Sequence, residues 1–398
     1  MKYITILILY TLMACQGPLA EFEVMSGEYD RSNSPISFKS NVDLIEGTNY
    51  YLENIEDGKV FPIQKISENE MLTIINSFPP HTTLVLALKK GDNAKDLYPK
   101  INIVDNDEGI QVTIGNRPLM FYQSEVTGPD GKYPDYYERS GFIHPLYSPN
   151  GEILTDGFPI GHTHQNGIFN AWTNTTFKGS KVDFWNRQDE LGTVKHIDNI
   201  SIEEGNLKSQ IKTKLSHISM DYGEVLEEEW QIDIYSSDKY FLFDLQSEQV
   251  NTSQDTLFLN EYLYGGMAFR GSREWNKDDV DHFTNTWEIV TSEGLANESA
   301  NHTKAAWVNA SGMINGHRAG LAVFSFPDNF RTPQMIRVHP EMPYWVYSPV
   351  IEGPFYIAPG QKYISRYRYL SHDGAIDTAE FDRVKADLEN PPIVRQIK

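Results

Sequence analysis

The chain holds one cysteine, Cys15, so no disulfide can form within it. It also has no run of the ~20 apolar residues that a membrane-crossing helix needs; the stretch from Tyr3 to Met13 is too short. Positive charge is scarce, with 34 Lys and Arg against 55 Asp and Glu and a net charge of −21. Nucleic-acid binding draws on Lys and Arg that neutralise phosphates, so this balance argues against a nucleic-acid partner. Three sequence signatures are missing as well: a Gly-rich phosphate loop, a Cys-x-x-Cys pair and a Gly-x-Ser-x-Gly elbow. Their absence removes nucleotide-binding, redox and serine-hydrolase readings.

What is present is apolar enough to fold. Hydrophobic residues make up 40% and aromatics 12%, which supplies a sizeable core and excludes disorder. At 398 residues the chain exceeds one usual domain, and two folded parts behind a leader are expected. The opening MKYITILILYTLMACQGPLA has Lys2 ahead of a short apolar run, the pattern of an export signal. Leu12-Met13-Ala14-Cys15 resembles a bacterial lipobox, in which cleavage precedes a lipid-modified cysteine. The expectation is a signal peptide over residues 1–14 and a mature chain anchored through Cys15 at the periplasmic or outer surface of a bacterial membrane. Acyl chains anchor stably because each buried methylene adds about 0.8 kcal/mol.

Residues 15–100 alternate short apolar runs such as TTLVLAL with polar turns and end in KKGDNAKD, which predicts a small β-rich domain and a linker. From Ile101 to about residue 376, strand signals recur at the spacing of a large sandwich or barrel. In EEEWQIDIYS, Trp230, Ile232 and Ile234 fall on one face, and in KYISRYRYLSH, Tyr363, Ser365, Tyr367 and Tyr369 do. Period two is the strand period. Only residues 377–398 read as a helix and tail: Asp377 caps, Glu380 stands at the capping-box position, Phe381, Val384 and Leu388 share a face, and Pro391-Pro392 stops the run. The fold class is all-β.

Four segments of the larger part carry more functional side chains than packing requires. ERSGFIHPLYSPNGEILTDGFPIGHTHQNGIFNAW holds His144, His162, His164 and Gln165. KVDFWNR holds Asp183, Trp185 and Arg187, and NEYLYGGMAFRGSREW holds Glu261, Tyr264, Arg270 and Trp275. RVHPEMPYWVYSPVIEGP holds Arg337, His339, Glu341 and Tyr344. Aromatic faces stack on sugar rings while Arg, Asn and Asp hydrogen-bond hydroxyls, so this mixture suits a carbohydrate-lined cleft.

The segments GFIHPLYSPNGEILTDGFPIGHTHQNGIF, KVDFWN, YLYGGMAFRGS, RVHPEMPYW and YRYLSHDG, in that order, resemble the bacterial family labelled PmoA-like. The label suggests a membrane copper oxygenase, which is incompatible with an exported chain that has no membrane-length apolar run. The resemblance implies a large β-supersandwich similar to galactose mutarotase-like proteins, in a family associated with bacterial glycan breakdown. The family's usual run is His, any residue, then two His; here Gln165 stands in the last place, after His162, Thr163 and His164.

Two imidazoles one residue apart can hold a metal, move protons or bind a carboxylate. A divalent metal needs a third ligand, for which His144, His339 and Glu261 are candidates. Proton transfer suits histidine, which titrates near neutral pH. A two-carboxylate glycosidase would draw on Asp183, Glu261, Glu341 or Glu352. An epimerase would pair a His164 acid with a Glu261 base. Elimination at a uronate, by a lyase or a dehydratase, needs a base (His162 or His164), a cation for the carboxylate (Arg187, Arg270 or Arg337) and an acid (Tyr264 or Tyr344). The last set accounts for the clustered His, Arg and Tyr best, with His144, Asp183, Trp185, Trp275 and His339 as further sugar contacts. The partner is then a uronate-bearing oligosaccharide. A lipoprotein that binds glycans without changing them would use the same aromatics, but would have little need of the two histidines.

Overall fold

A computed structural model describes residues 17–398 apart from 46, 95, 130 and 132. Cys15 and the expected signal peptide, residues 1–14, lie outside the described residues. About 49% of the chain is strand and 8% helical, so the protein is all-β.

The large part is a sandwich. One sheet has nine strands in the order Thr303–Lys304, Met335–Val338, Tyr344–Tyr347, Gly266–Arg270, Ile168–Ala171, Phe142–Leu146, Arg117–Gln123, Gly109–Ile114 and Ile101–Asp105. The facing sheet has eight, from Gly192–Glu203 to Glu288–Thr291, with the long strands Gly223–Tyr235, Phe241–Asn251 and Lys362–Asp373 at its centre. Trp230, Ile232 and Ile234 are buried as their alternation predicts. The same face carries an acid. Glu228, two residues before Trp230, accepts hydrogen bonds from Trp230 Nε1 (2.7 Å), Ser247 Oγ (2.5 Å) and, across the sandwich, Asn170 Nδ2 (2.8 Å). Its other oxygen meets His217 Nε2 at 2.6 Å. A buried carboxylate with all these partners is a pin between the sheets.

The second half of Lys362–Asp373 is buried on both faces. Tyr367 and Tyr369 face the sandwich, whereas Leu370 joins Leu242, Phe324 and Trp307 under the helix Thr378–Glu389 and the small N-terminal sheet. The helix is capped by Asp377, whose carboxylate accepts the Glu380 amide at 3.1 Å, and it buries Phe381 and Val384 as predicted.

The N-terminal strands form a seven-stranded sheet, Ser34–Lys39, Glu70–Ile75, Val60–Ser67, Tyr50–Asn54, Thr83–Lys90, Ala20–Met25 and Ile393–Gln396. Its last strand corrects the expected tail: after Pro391-Pro392 the chain returns and pairs antiparallel with Ala20–Met25. Arg31 joins the same elements from below, with Nη1 at 2.6 Å from the buried Asp387 of the helix and Nη2 donating to Asn390 O at 2.6 Å. Removing one member of a buried pair leaves the other charge unpaired, at about 3–5 kcal/mol. Asp387→Asn is therefore expected to lower the denaturant midpoint by a stability loss of about 3 kcal/mol, with far-UV circular dichroism of the native state unchanged.

Candidate active site

Three strand ends meet at one end of the nine-stranded sheet. Arg270 closes Gly266–Arg270, Tyr344 opens Tyr344–Tyr347 directly opposite it, and Arg270 N donates to Gly167 O (2.7 Å) just before Ile168–Ala171. Tyr347 hydrogen-bonds Val323 O of the facing sheet at 3.0 Å, so residues 345 and 347 point into the sandwich. By strand alternation Tyr344 and Arg270 point the other way. The loop 156–167 covers them. It is closed by Gly167 N donating to Asp156 O at 2.8 Å and carries the His-x-His pair in successive turns rather than on a strand.

Arg270 is fully buried. Its Nη1 donates to Gln165 Oε1 at 2.9 Å and touches Met342 Sδ at 3.4 Å, whereas Nε and Nη2 have no hydrogen-bond partner among the described residues. No ion pair to Arg270 occurs among the described residues. Burial lowers its pKa to about 10, opposed by the more distant Asp156 and Asp278. A buried cation with two idle donors is costly until an anion arrives, and the planar fork matches a carboxylate.

The histidines gather beside this cation. The rings of His162 and His164 lie 5.9 Å apart, and those of His162 and His339 6.4 Å. Burial, then Arg187, His162 and Arg270, hold His164 down to about 3. Burial, then Arg337 and His162, hold His339 down to about 4, and His162 is lowered by burial and Arg270. All three are neutral at neutral pH. His339 Nδ1 accepts the Glu341 amide at 3.2 Å, which leaves its proton on Nε2. Among the described residues no hydrogen-bond partner reaches His164. His162 Nδ1 stands 4.0 Å from Asp278 Oδ2, and Gly161 permits this approach: its φ is +83° and a Cβ there would lie 2.3 Å from that oxygen.

Tyr344 is 3% exposed and its hydroxyl has no hydrogen-bond partner among the described residues. Burial pushes its pKa well above the ordinary value, so it is a proton donor. Tyr264, half-buried, is pushed by burial to about 12 and donates to Asn186 Oδ1 at 3.2 Å. Trp185 lies between them, with ring centroids 5.2 Å from Tyr264 and 6.0 Å from Tyr344.

Several expected site residues serve the fold instead. Arg187 is spent on Tyr137 O, Thr163 O (3.2 Å) and Asn166 Oδ1 (2.7 Å), so it pins the histidine loop and has no fork free for a ligand. Asp183 accepts from Thr173 Oγ1, the amides of Trp185 and Asn186, and Asn186 Nδ2, all within 2.9 Å. Trp275 is 0% and Trp185 1% exposed: both are core, not cleft, and Trp275 Nε1 donates to Met313 O at 3.0 Å. Glu261 is exposed on a loop and meets neither histidine. His144 faces a separate pocket. Arg337 is half-buried and acts on His339 and Tyr344 through its charge. The sequence reading missed Asp278, Met342 and the role of Gln165 as the holder of Arg270. For Asp278 the one signal was an acidic pair that begins three residues after Trp275. No grouping of three or more His, Cys, Asp or Glu able to hold a metal occurs among the described residues.

Residues 109–385 match a family described as a family of unknown function, DUF6807. No curated protein matches the chain. Among solved structures, a protein in the glycosyl hydrolase family 38 from Enterococcus faecalis is 8% identical with a TM-score of 0.46, covering 95% of this chain and 47% of that one. The GH36 alpha-galactosidase AgaA from Geobacillus stearothermophilus, in complex with raffinose, is 11% identical with a TM-score of 0.32, covering 69% of this chain and 41% of that one. The chain thus spans less than half the length of either.

The field of Arg270 is directly measurable. In an NMR titration the His164 ring should stay neutral down to about pH 4–5, below the ordinary histidine range near 6.5. Arg270→Gln removes a cation that disfavours the imidazolium, so the His164, His162 and His339 midpoints should all move up.

Proposed function

The chain belongs to the DUF6807 family, and we propose that this member is a carbohydrate-active enzyme that eliminates water or a glycosyl group at a uronic acid of an oligosaccharide. The observation that supports it most is the buried Arg270 fork with two unpartnered nitrogens beside three neutral imidazoles. Arg270 would bind the uronate carboxylate and draw charge from it. That acidifies the carbon next to the carboxyl group, and the lone pair of His164 takes its proton, with His162 beside it. The electron pair forms a double bond to the neighbouring ring carbon, whose C–O bond breaks, and Tyr344 or Tyr264 donates the proton that the departing oxygen needs. Binding an anion also raises the depressed histidine pKa values, so the base strengthens when substrate is in place.

The carboxylates offer less to a glycosidase. Asp183 is saturated, Glu341 and Glu352 are paired with Lys277 and Lys304, and Glu261 is exposed and makes no contact with the histidines among the described residues. The His164–Glu261 pair of an epimerase is not assembled either. A passive glycan binder gains nothing from a desolvated histidine without a partner.

Incubation with neutral and uronate-bearing oligosaccharides, read by mass spectrometry and ultraviolet absorbance, tests the reaction. Loss of water or of a glycosyl group, with a rise from a conjugated double bond, is expected on uronates only; a gain of water on cleavage would overturn the reading. His164→Ala should lower kcat by about 10²- to 10⁴-fold with binding retained. Arg270→Ala should impair binding and turnover together.

Export with a lipid at Cys15 belongs to the same proposal. Among the described residues no helix is long and apolar enough to cross a membrane. A fatty-acid label should enter the wild-type protein in cells and not Cys15→Ser; equal labelling would remove the anchor.

A further inference from the structure

A second pocket, of about 340 Å³, is walled by the start of the histidine loop and by the chain just beyond Arg270. It is lined by Asp156, Phe158 and Ile160 on one side and by Arg273, Asp279 and His282 on the other, with His144 against the loop. Its volume falls in the range of small-ligand sites. Asp156 connects it to the candidate active site: its amide donates to Arg270 O at 3.2 Å, and its carboxyl feels both Arg270 and Arg273.

The charges here are arranged differently from those around Arg270. Asp279 lies 2.7 Å from His282 Nδ1 and 3.1 Å from Arg273, so cation and anion already satisfy each other. Glu274 takes the Asn315 amide at 3.0 Å. Asp156 is half-buried with no ion pair among the described residues, and desolvation raises its pKa toward the neutral form. A second carboxylate would find no free cation in this pocket. Hydroxyl groups would find acceptors on Asp156 and Asp279 and a polar ring edge on His144. Thr155 Oγ1 accepts the Leu146 amide at 3.0 Å and shares a hydrogen bond with His144 Nδ1 at 2.9 Å; in either tautomer of the ring a hydroxyl, which both donates and accepts, can pair with Nε2. Gly157 keeps that edge open, since a Cβ there would sit 2.7 Å from His144 Cδ2 and 3.1 Å from Nε2. Phe158 and Ile160 offer the apolar wall on which a sugar ring face packs.

We propose that this pocket holds an uncharged sugar residue next to the uronate, so that the substrate is an oligosaccharide in which a uronic acid neighbours a neutral sugar. The inference rests on the elimination reading for the place of the uronate, but its binding test stands apart from turnover. Three probes separate the cases: methyl glucuronide, a glucuronosyl-glucose disaccharide and diglucuronate. They are titrated calorimetrically and assayed with the wild type, His282→Ala and Ile153→Trp. His282 is half exposed and Ile153 lies at the pocket wall, and neither touches the histidine cluster. The wild type should bind glucuronosyl-glucose about tenfold more tightly than diglucuronate. Both variants should lose that preference and raise KM for the mixed disaccharide about tenfold, leaving kcat on methyl glucuronide unchanged. Equal binding of the two disaccharides, unaltered variants, or no binding of any probe would overturn the subsite. Tight, variant-sensitive binding of glucuronosyl-glucose without elimination would leave the subsite standing and sink the reaction.

Discussion

A guanidinium buried without a carboxylate partner is the constraint around which one end of this sandwich is arranged. Arg270 sits at a strand end with no exposure, and among the described residues the only side chains on its fork are Gln165 and Met342. An aspartate or glutamate in the place of Gln165 would quench the charge and lift the neighbouring histidine pKa values. A neutral amide steadies the fork, keeps its field and leaves two nitrogens for a ligand. The depressed imidazoles and the protonated tyrosines follow from the same desolvation: burial disfavours whichever form is charged, so each group is held in the neutral state. The proposed chemistry uses both consequences, a lone pair on histidine and a proton on tyrosine.

Rigidity around Arg270 comes from other polar groups whose terminal atoms are engaged within the protein. Arg187 ties the histidine loop to the chain near Tyr137, and Asp183 closes the turn that sets Trp185 and Asn186. Such residues read in sequence as ligands because the same side chains serve both tasks. What separates them is the number of donors and acceptors left over, which belongs to the folded state alone. The tryptophans follow the same rule. Trp185 and Trp275 are wide apolar rings, and the fold buries them behind the reactive groups instead of exposing them to sugar.

Elements whose signal is local were legible. The period-two runs around Trp230 and Tyr367 became long central strands, and the capping signals at Asp377 and Glu380 became the helix, because backbone geometry imposes these periods over a few residues. Glu228 escaped notice within its strand because alternation gives its face but not its partners, and Asn170, Ser247 and His217 reach it from three other strands. The strand after Pro391-Pro392 escaped for the same reason: its ladder is with Ala20–Met25, at the opposite end of the chain.

The sequence by itself determined an all-β chain, rich in acid and poor in thiol, with histidine, arginine and tyrosine gathered in a few glycine- and proline-bearing segments. It also named the residue types from which a site would be built, since residue chemistry is carried in each letter. Only the tertiary structure decided which of them meet. Gln165, Arg270 and Tyr344 are separated by long stretches of chain and come together through strand pairing, while Glu261 and His144 come from equally suggestive segments and are left apart. Strand order and burial are global properties, set by how nine and eight strands pack face to face, and the charge state of every group in the site depends on them.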